Sequence, residues 1–112
     1  MNSKKLHMDE LHQIHQAGLK PDELIIDVRE ADDYADGHVP GSRSIPHDQI
    51  LAAPEKFRDE LKAYKTVYIH CGGGGKAGRV TAALEAVGAT NIVHVCDSGM
   101  RSWIAAGHPV QK

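Results

Sequence analysis

Three short runs of apolar, mostly β-branched residues constrain the fold of this chain more than any other feature. They lie at 24–26, 66–69 and 92–95, and polar or reactive residues follow them: Asp27, Cys71 and Asp97. Such runs, bounded by turn-forming residues, are typical of buried strands. Segments with helical periodicity lie at 9–17, 55–64 and 77–87, so strands and helices alternate. This alternation predicts an α/β fold with a mostly parallel central sheet flanked by helices on both faces.

The length of the chain predicts a single domain covering residues 1–112, since 112 residues make one domain of ordinary size. The N-terminus lacks the apolar segment of a signal peptide, and no stretch is long enough to cross a bilayer. Cys71 and Cys96 are too few for a disulfide scaffold, so we expect thiols and a cytoplasmic location. We also expect the first residues and residues 111–112 to be frayed, and Trp103 and Ile104 to anchor the last helix in the core.

Charge and composition argue against several classes of ligand. The net charge is −2, with acidic and basic residues interleaved, so no basic stripe predicts binding to nucleic acid. Eight histidines invite a metal site, but the pair His12 and His15 has no nearby Cys, Asp or Glu pattern to complete one. We therefore expect no metal, no cofactor, no nucleic acid and no membrane partner. The sequence leaves the oligomeric state open.

The segment 71–76, Cys-Gly-Gly-Gly-Gly-Lys, crosses from a predicted strand to a predicted helix. Ligands bind at the carboxyl ends of the strands in such folds. Four glycines allow the backbone to curl and point its N–H groups inward, and the helix adds the positive end of its dipole. Both effects favour the thiolate of Cys71, which is the reactive species, and Lys76 adds a positive charge. The pattern predicts a nucleophile that attacks an electrophile carrying negative charge, such as a sulfane sulfur or a phosphorus.

Several other interpretations of this loop can be weighed from its residues. A buried, unreactive cysteine beside a tight turn is the simplest, but four glycines cost more conformational entropy than a turn requires. A cysteine phosphatase needs Arg six positions beyond the cysteine to grip phosphate with two hydrogen bonds, and Ala77 occupies that position. A Walker A phosphate-binding loop would require Gly at position 70 and Ser or Thr at position 77, and this chain has His70 and Ala77 there. Glycines at 73, 75 and 78 fit a dinucleotide fingerprint, yet the chain is short for the usual paired halves.

The order of motifs along the chain resembles the rhodanese family. The motifs are Asp-Val-Arg-Glu at 27–30, Tyr34, Gly-His-Val-Pro-Gly-Ser at 37–42, Ile-Pro at 45–46, Cys71 with its glycines, Gly-Met at 99–100, Trp103, and Ala-Gly-His-Pro-Val at 106–110. The resemblance runs in order from about residue 6 to residue 110. It implies a rhodanese-like fold and a sulfurtransferase activity.

The resemblance implies a mechanism through a persulfide on Cys71. The thiolate would take a sulfane sulfur from thiosulfate or from a small-molecule or protein persulfide, and would pass it to a thiol or to cyanide. Asp27 and Arg29 would lie near the loop, although a purely structural pair, with the carboxylate capping local backbone, is an equal alternative. Backbone N–H groups would hold the persulfide and the departing anion; they belong to Gly72, Gly73, Gly74, Gly75, Lys76 and Ala77. Relatives that lack the cysteine are binding or sensing modules, an alternative that the presence of Cys71 disfavours.

Two departures from the family pattern bear on the substrate. Many relatives carry Arg where this chain has Lys76, and lysine cannot form the two parallel hydrogen bonds that a guanidinium makes to an oxyanion. The glycines also leave the loop without side chains that select a donor, so we expect an open pocket, better suited to a protein persulfide or small thiol than to tight thiosulfate binding. His70 should point to the opposite face of the strand from Cys71. Cys96 is expected to pack in the core, with a resolving thiol as the alternative.

Overall fold

The computed structural model describes residues 4–72, 75–95 and 99–112. Within these residues five strands form one parallel sheet in the order β1-β5-β4-β2-β3. The strands are β1 (Lys4–Leu6), β2 (Glu23–Asp27), β3 (Arg43–Ser44), β4 (Thr66–His70) and β5 (Ile92–Val95). The helices are α1 (Met8–Ala17), α2 (Ala31–Asp36), α3 (His47–Ala52), α4 (Pro54–Leu61), α5 (Gly75–Ala86) and α6 (Met100–Ala105). The predicted α/β fold with a parallel sheet is confirmed.

Helices cover both faces of the sheet because side chains alternate along each strand. On one face, Ile26 and Ile69 pack with α3, α4 and α5, whose buried residues there are Ile50, Phe57, Leu61, Ala77, Val80 and Leu84. On the other face, Ile25 and Tyr68 pack with α1 and α6 through Met8, Leu11, Met100 and Trp103. Burying a large apolar side chain contributes roughly 1.5–3 kcal/mol, so the two cores supply most of the favourable free energy of folding.

The register of β2 and β4 aligns their carboxyl ends. Ile26 lies opposite Ile69, and Asp27 lies opposite His70. The pairing continues past the last strand residues, since the N–H of Val28 donates to the carbonyl of His70 at 3.0 Å. The segments that follow the two strands therefore leave the sheet side by side, which brings residues 27–30 next to Cys71.

The expectation of frayed ends was wrong for residues 4–6 and for Gln111, while residues 1–3 lie outside the described residues. Residues 4–6 form β1, which pairs with β5 and places Leu6 opposite Val95, and Gln111 exchanges two backbone hydrogen bonds of 2.9 Å with His38. These backbone pairings hold residues 4–6 and Gln111 in place although few apolar side chains anchor them. Trp103 is fully buried, but Ile104 is 55% exposed because it lies on the outer side of α6. Among the described helices, none is long and apolar enough to cross a membrane.

Candidate active site

Cys71 follows β4 directly and lies at the amino end of α5. It is 2% exposed and belongs to the same core as Ala77 and Val80. The N–H of Ala77 donates to Sγ of Cys71 at 3.5 Å. The first N–H groups of a helix have no partner within the helix and carry a partial positive charge. The local geometry therefore suits a sulfur atom that bears negative charge.

Gly99 packs against the Cys71 loop from the side opposite α5. The N–H of Met100 donates to the carbonyl of Cys71 at 2.9 Å, and the N–H of Arg101 donates to the carbonyl of Gly72 at 3.5 Å. A Cβ on Gly99 would lie 2.1 Å from the carbonyl oxygen of Cys71. The φ angle of Gly99 is −174°, an extended conformation that any residue adopts. Glycine is therefore required here by the close approach of two backbone segments.

Asp27 and Arg29 form a partly buried, bidentate ion pair. Nε of Arg29 lies 3.1 Å from both carboxylate oxygens of Asp27, and Nη2 donates to Oδ2 at 2.8 Å. The carboxylate also accepts from the backbone N–H of Arg29 at 2.9 Å, and Nη2 donates to the carbonyl of Gly37 at 2.6 Å. Asp27 has no exposed surface. Such a structural pair, with the carboxylate capping local backbone, is one of the two equal alternatives that the sequence left open. The pair fixes the Arg29 side chain beside the loop.

A cavity of about 310 Å³ opens in front of Cys71. It is lined by Arg29, Asp33, Cys71, Gly72, Gly75, Lys76 and Arg101. Asp27 and Ala77 are fully buried and lie behind this lining. Of the remaining predicted site residues, Gly73 and Gly74 lie outside the described residues, and so does Cys96 with both of its proposed roles.

Acidic side chains lie at the mouth of the cavity beside its cations. Nζ of Lys76 is 3.7 Å from Oε1 of Glu30, and Nδ1 of His47 is 3.7 Å from the same oxygen. Asp33 lines the cavity directly. The sequence reasoning did not single out Glu30, Asp33 or Arg101 as site residues. Glu30 could have been identified from the sequence, because this residue ends the Asp-Val-Arg-Glu motif.

His70 is buried on the face of the sheet opposite Cys71. It has no exposed surface, and neither ring nitrogen has a hydrogen-bond partner among the described residues. Burial lowers the pKa of His70, and the nearby negative charge of Asp27 only partly opposes this shift. Burial therefore favours the neutral form of the His70 imidazole.

The histidines near Trp103 pack as rings. His12 stacks on His108 with ring centroids 3.4 Å apart, and both rings meet the indole edge to face. Nε2 of His15 lies 2.8 Å from the carbonyl of Pro40. Over residues 4–72, 75–95 and 99–112, no group of three or more His, Cys, Asp or Glu side chains is placed to hold a metal ion.

Comparison with known proteins assigns most of the chain to one family. The family model described as rhodanese-like domain matches residues 7–106. The crystal structure of a rhodanese-like domain protein from Staphylococcus aureus is 34% identical and superposes with a TM-score of 0.73, covering 89% of this chain and 90% of that one.

Curated relatives are longer than this chain. The protein YqhL of Bacillus subtilis is 32% identical over 79% of this chain, which spans 65% of that relative. The thiosulfate sulfurtransferase of Azotobacter vinelandii is 31% identical over 87% of this chain, which spans 42% of that enzyme. The dual specificity phosphatase ibp1 of Schizosaccharomyces pombe is 40% identical over 46% of this chain, which spans 37% of it.

Proposed function

Because the chain belongs to the family of rhodanese-like domains, we propose that it acts as a sulfurtransferase that carries a sulfane sulfur on Cys71. One observation carries this proposal. The thiol of Cys71 lies at the base of an open cavity and accepts a hydrogen bond from the N–H of Ala77 at 3.5 Å. The similarity to a thiosulfate sulfurtransferase over 87% of the chain supports the same chemistry.

The reaction proceeds in two displacements at sulfur. In the first, Sγ of Cys71 attacks the sulfane sulfur of thiosulfate or of a persulfide. The S–S bond of the donor breaks, and sulfite or a thiolate leaves with the bonding electron pair. In the second, a thiolate or cyanide attacks the outer sulfur of the Cys71 persulfide and releases the original thiolate. Electrons balance across the two steps, so no oxidant or cofactor is consumed.

The loop stabilises the anionic sulfur in both steps. We assign this role to the N–H groups of the predicted loop residues, including Gly72, Gly75 and Ala77, because fixed dipoles stabilise charge without reorganising. Arg29, oriented by Asp27, borders the same cavity. The partners in this proposal are a small or protein-bound persulfide donor and a thiol acceptor. A reducing compartment such as the cytoplasm would keep the thiol of Cys71 available.

A phosphatase is the second candidate, favoured by the similarity to a dual specificity phosphatase over 46% of the chain. The position that would carry the phosphate-binding arginine holds Ala77, whose methyl group is buried and cannot donate a hydrogen bond. A two-pronged grip on phosphate needs a guanidinium at that place. Sulfur transfer therefore fits the described residues better.

Intact-mass measurement after incubation with thiosulfate tests the proposed function. The wild type should gain the mass of one sulfur atom and lose it on addition of cyanide. Cys71→Ser should show neither change while keeping the fluorescence of the buried Trp103. A Cys71-dependent hydrolysis of an aryl phosphate, without sulfur gain from thiosulfate or an organic persulfide, would identify a phosphatase instead. Reaction with none of these compounds would favour a binding module.

A further inference from the structure

Three cationic side chains line the cavity in front of Cys71, and two of them are paired with carboxylates. Arg29 is held by both oxygens of Asp27. Nζ of Lys76 lies 3.7 Å from Oε1 of Glu30. The third cation, Arg101, has no carboxylate within ion-pairing distance of its guanidinium among the described residues. Within the part of the chain that the structure describes, its five N–H donors therefore remain available to a ligand.

The backbone of Arg101 is held against the cysteine loop. Its N–H donates to the carbonyl of Gly72, the preceding N–H donates to the carbonyl of Cys71, and Trp103 anchors α6 in the core. Arg101 is an exposed residue, and it lines the cavity together with Cys71. The cationic side chain of Arg101 therefore extends from a fixed backbone position beside the cysteine loop.

We propose that Arg101 selects anionic sulfur donors and acceptors at this site, a role that the sequence pattern assigns to Lys76. The ligand class consists of species with a sulfonate or carboxylate close to the sulfur that reacts. A guanidinium grips such groups with two parallel hydrogen bonds, which an ammonium cannot do. Glu30 offsets the charge of Lys76, whereas Asp33 lines the same cavity beyond ion-pairing distance of Arg101 and weakens the selection without cancelling it.

This inference names the substrate class of the proposed function, and it can be tested without sulfur transfer. Methanethiosulfonate reagents modify thiolates: Sγ attacks the thiol sulfur of the reagent, a mixed disulfide forms, and methanesulfinate leaves with the electron pair. One reagent carries a sulfonate and the other carries an ammonium group. The measured quantity is the ratio of their second-order rate constants at Cys71, read from the mass of the peptide that contains it.

Arg101→Gln should lower the ratio of anionic to cationic reagent roughly tenfold, because one full charge near the thiolate acts in opposite directions on the two reagents. Lys76→Gln should lower it by less than about threefold, since the Lys76 ammonium lies towards Glu30 and cannot bind an anion through two parallel hydrogen bonds. Arg101→Lys should keep only part of the ratio, because lysine keeps the charge but cannot make the two parallel hydrogen bonds. Asp33→Asn should raise the ratio. Arg79→Gln is the matched control: this exposed arginine lies on α5 and does not line the cavity.

An unchanged ratio in Arg101→Gln would overturn the proposal, and so would a larger drop in Lys76→Gln or an equal drop in Arg79→Gln. Retained Trp103 fluorescence shows that each variant is folded. Failure of the proposed function would look different, because the wild type would gain no sulfur from thiosulfate while the reagent ratio still depended on Arg101. The two experiments therefore separate the chemistry at Cys71 from the selection of charge beside it.

Discussion

Replacing Gly99 with alanine is the sharpest test of how the Cys71 loop is held. The added Cβ would lie 2.1 Å from the carbonyl oxygen of Cys71 and 2.6 Å from two backbone atoms of Gly72. Ordinary contacts to a Cβ begin at 3.4 Å, so the loop and the start of α6 must separate by more than an ångström. That movement breaks the 2.9 Å hydrogen bond from Met100 to Cys71.

The cost follows from these contacts. Overpacking costs about 1–3 kcal/mol, and the lost hydrogen bond costs about 1 kcal/mol. Replacing glycine by alanine at an unstrained position raises the free energy of unfolding by about 0.4–1 kcal/mol, because it restricts the unfolded chain. Because the clash is with backbone atoms, which cannot rotate away, we expect Gly99→Ala to lower the free energy of unfolding by about 2–3 kcal/mol. A domain of this size is usually stable by about 5–15 kcal/mol, so the variant should still fold.

Urea denaturation measures this change through the fluorescence of Trp103, the single tryptophan of the chain. Gly75→Ala is the matched control, because a Cβ there meets nothing within 4 Å and its backbone is not in the left-handed region. The control should be as stable as the wild type or slightly more stable. If Gly99→Ala falls within about 0.5 kcal/mol of the wild type, the loop and α6 are not in the contact described, and the reasoning is refuted.

Two titrating side chains give further predictions about stability. Burial lowers the pKa of His70, so the free energy of unfolding should be unaffected above the ordinary value of 6.5 and fall below it, by at most about 1.4 kcal/mol per pH unit. Urea titrations at pH 7, 6 and 5 should show a weaker decline in His70→Leu; equal slopes would contradict the burial argument. Burial and a 2.9 Å hydrogen bond to Glu23 raise the pKa of Tyr68 to about 12. The wild type should therefore lose up to about 2 kcal/mol relative to Tyr68→Phe between pH 10 and pH 12, and a constant difference would argue against that bond.

The parts of the fold that could be predicted from the sequence are those with strong local patterns. The central strands β2, β4 and β5 carry runs of mostly buried residues, many of them β-branched, and their predicted ranges agree with the structure within one residue at each end. Strand β1 was missed because a short edge strand containing Lys4 and Lys5 has no such pattern. It is defined by its pairing with β5, which comes almost ninety residues later in the chain.

In the candidate site, too, local contacts could be predicted from the sequence and long-range contacts could not. The closeness of Asp27 and Arg29 is local, since the two residues are two apart and Asp27 also accepts from the backbone of Arg29. The pairing of Lys76 with Glu30 and the approach of Arg101 to the loop are long-range contacts, set by how α5 and α6 pack on the sheet. The sequence therefore identified Lys76 as a cation of the loop, but it could not predict which cations of the cavity pair with a carboxylate of the described residues.

The position of Cys71 between two helices has a consequence for how the molecule responds to distant changes. Its thiol is held by α5, which belongs to one core, and its carbonyl is held by α6, which belongs to the other. In the reaction proposed above, a small shift of one layer of helices relative to the other would therefore change the angle at which the sulfur of Cys71 meets a donor. The reaction rate of Cys71 should therefore depend on the alignment of the two layers. Substitutions in either core should change this rate even where the substituted residue does not contact the sulfur atom.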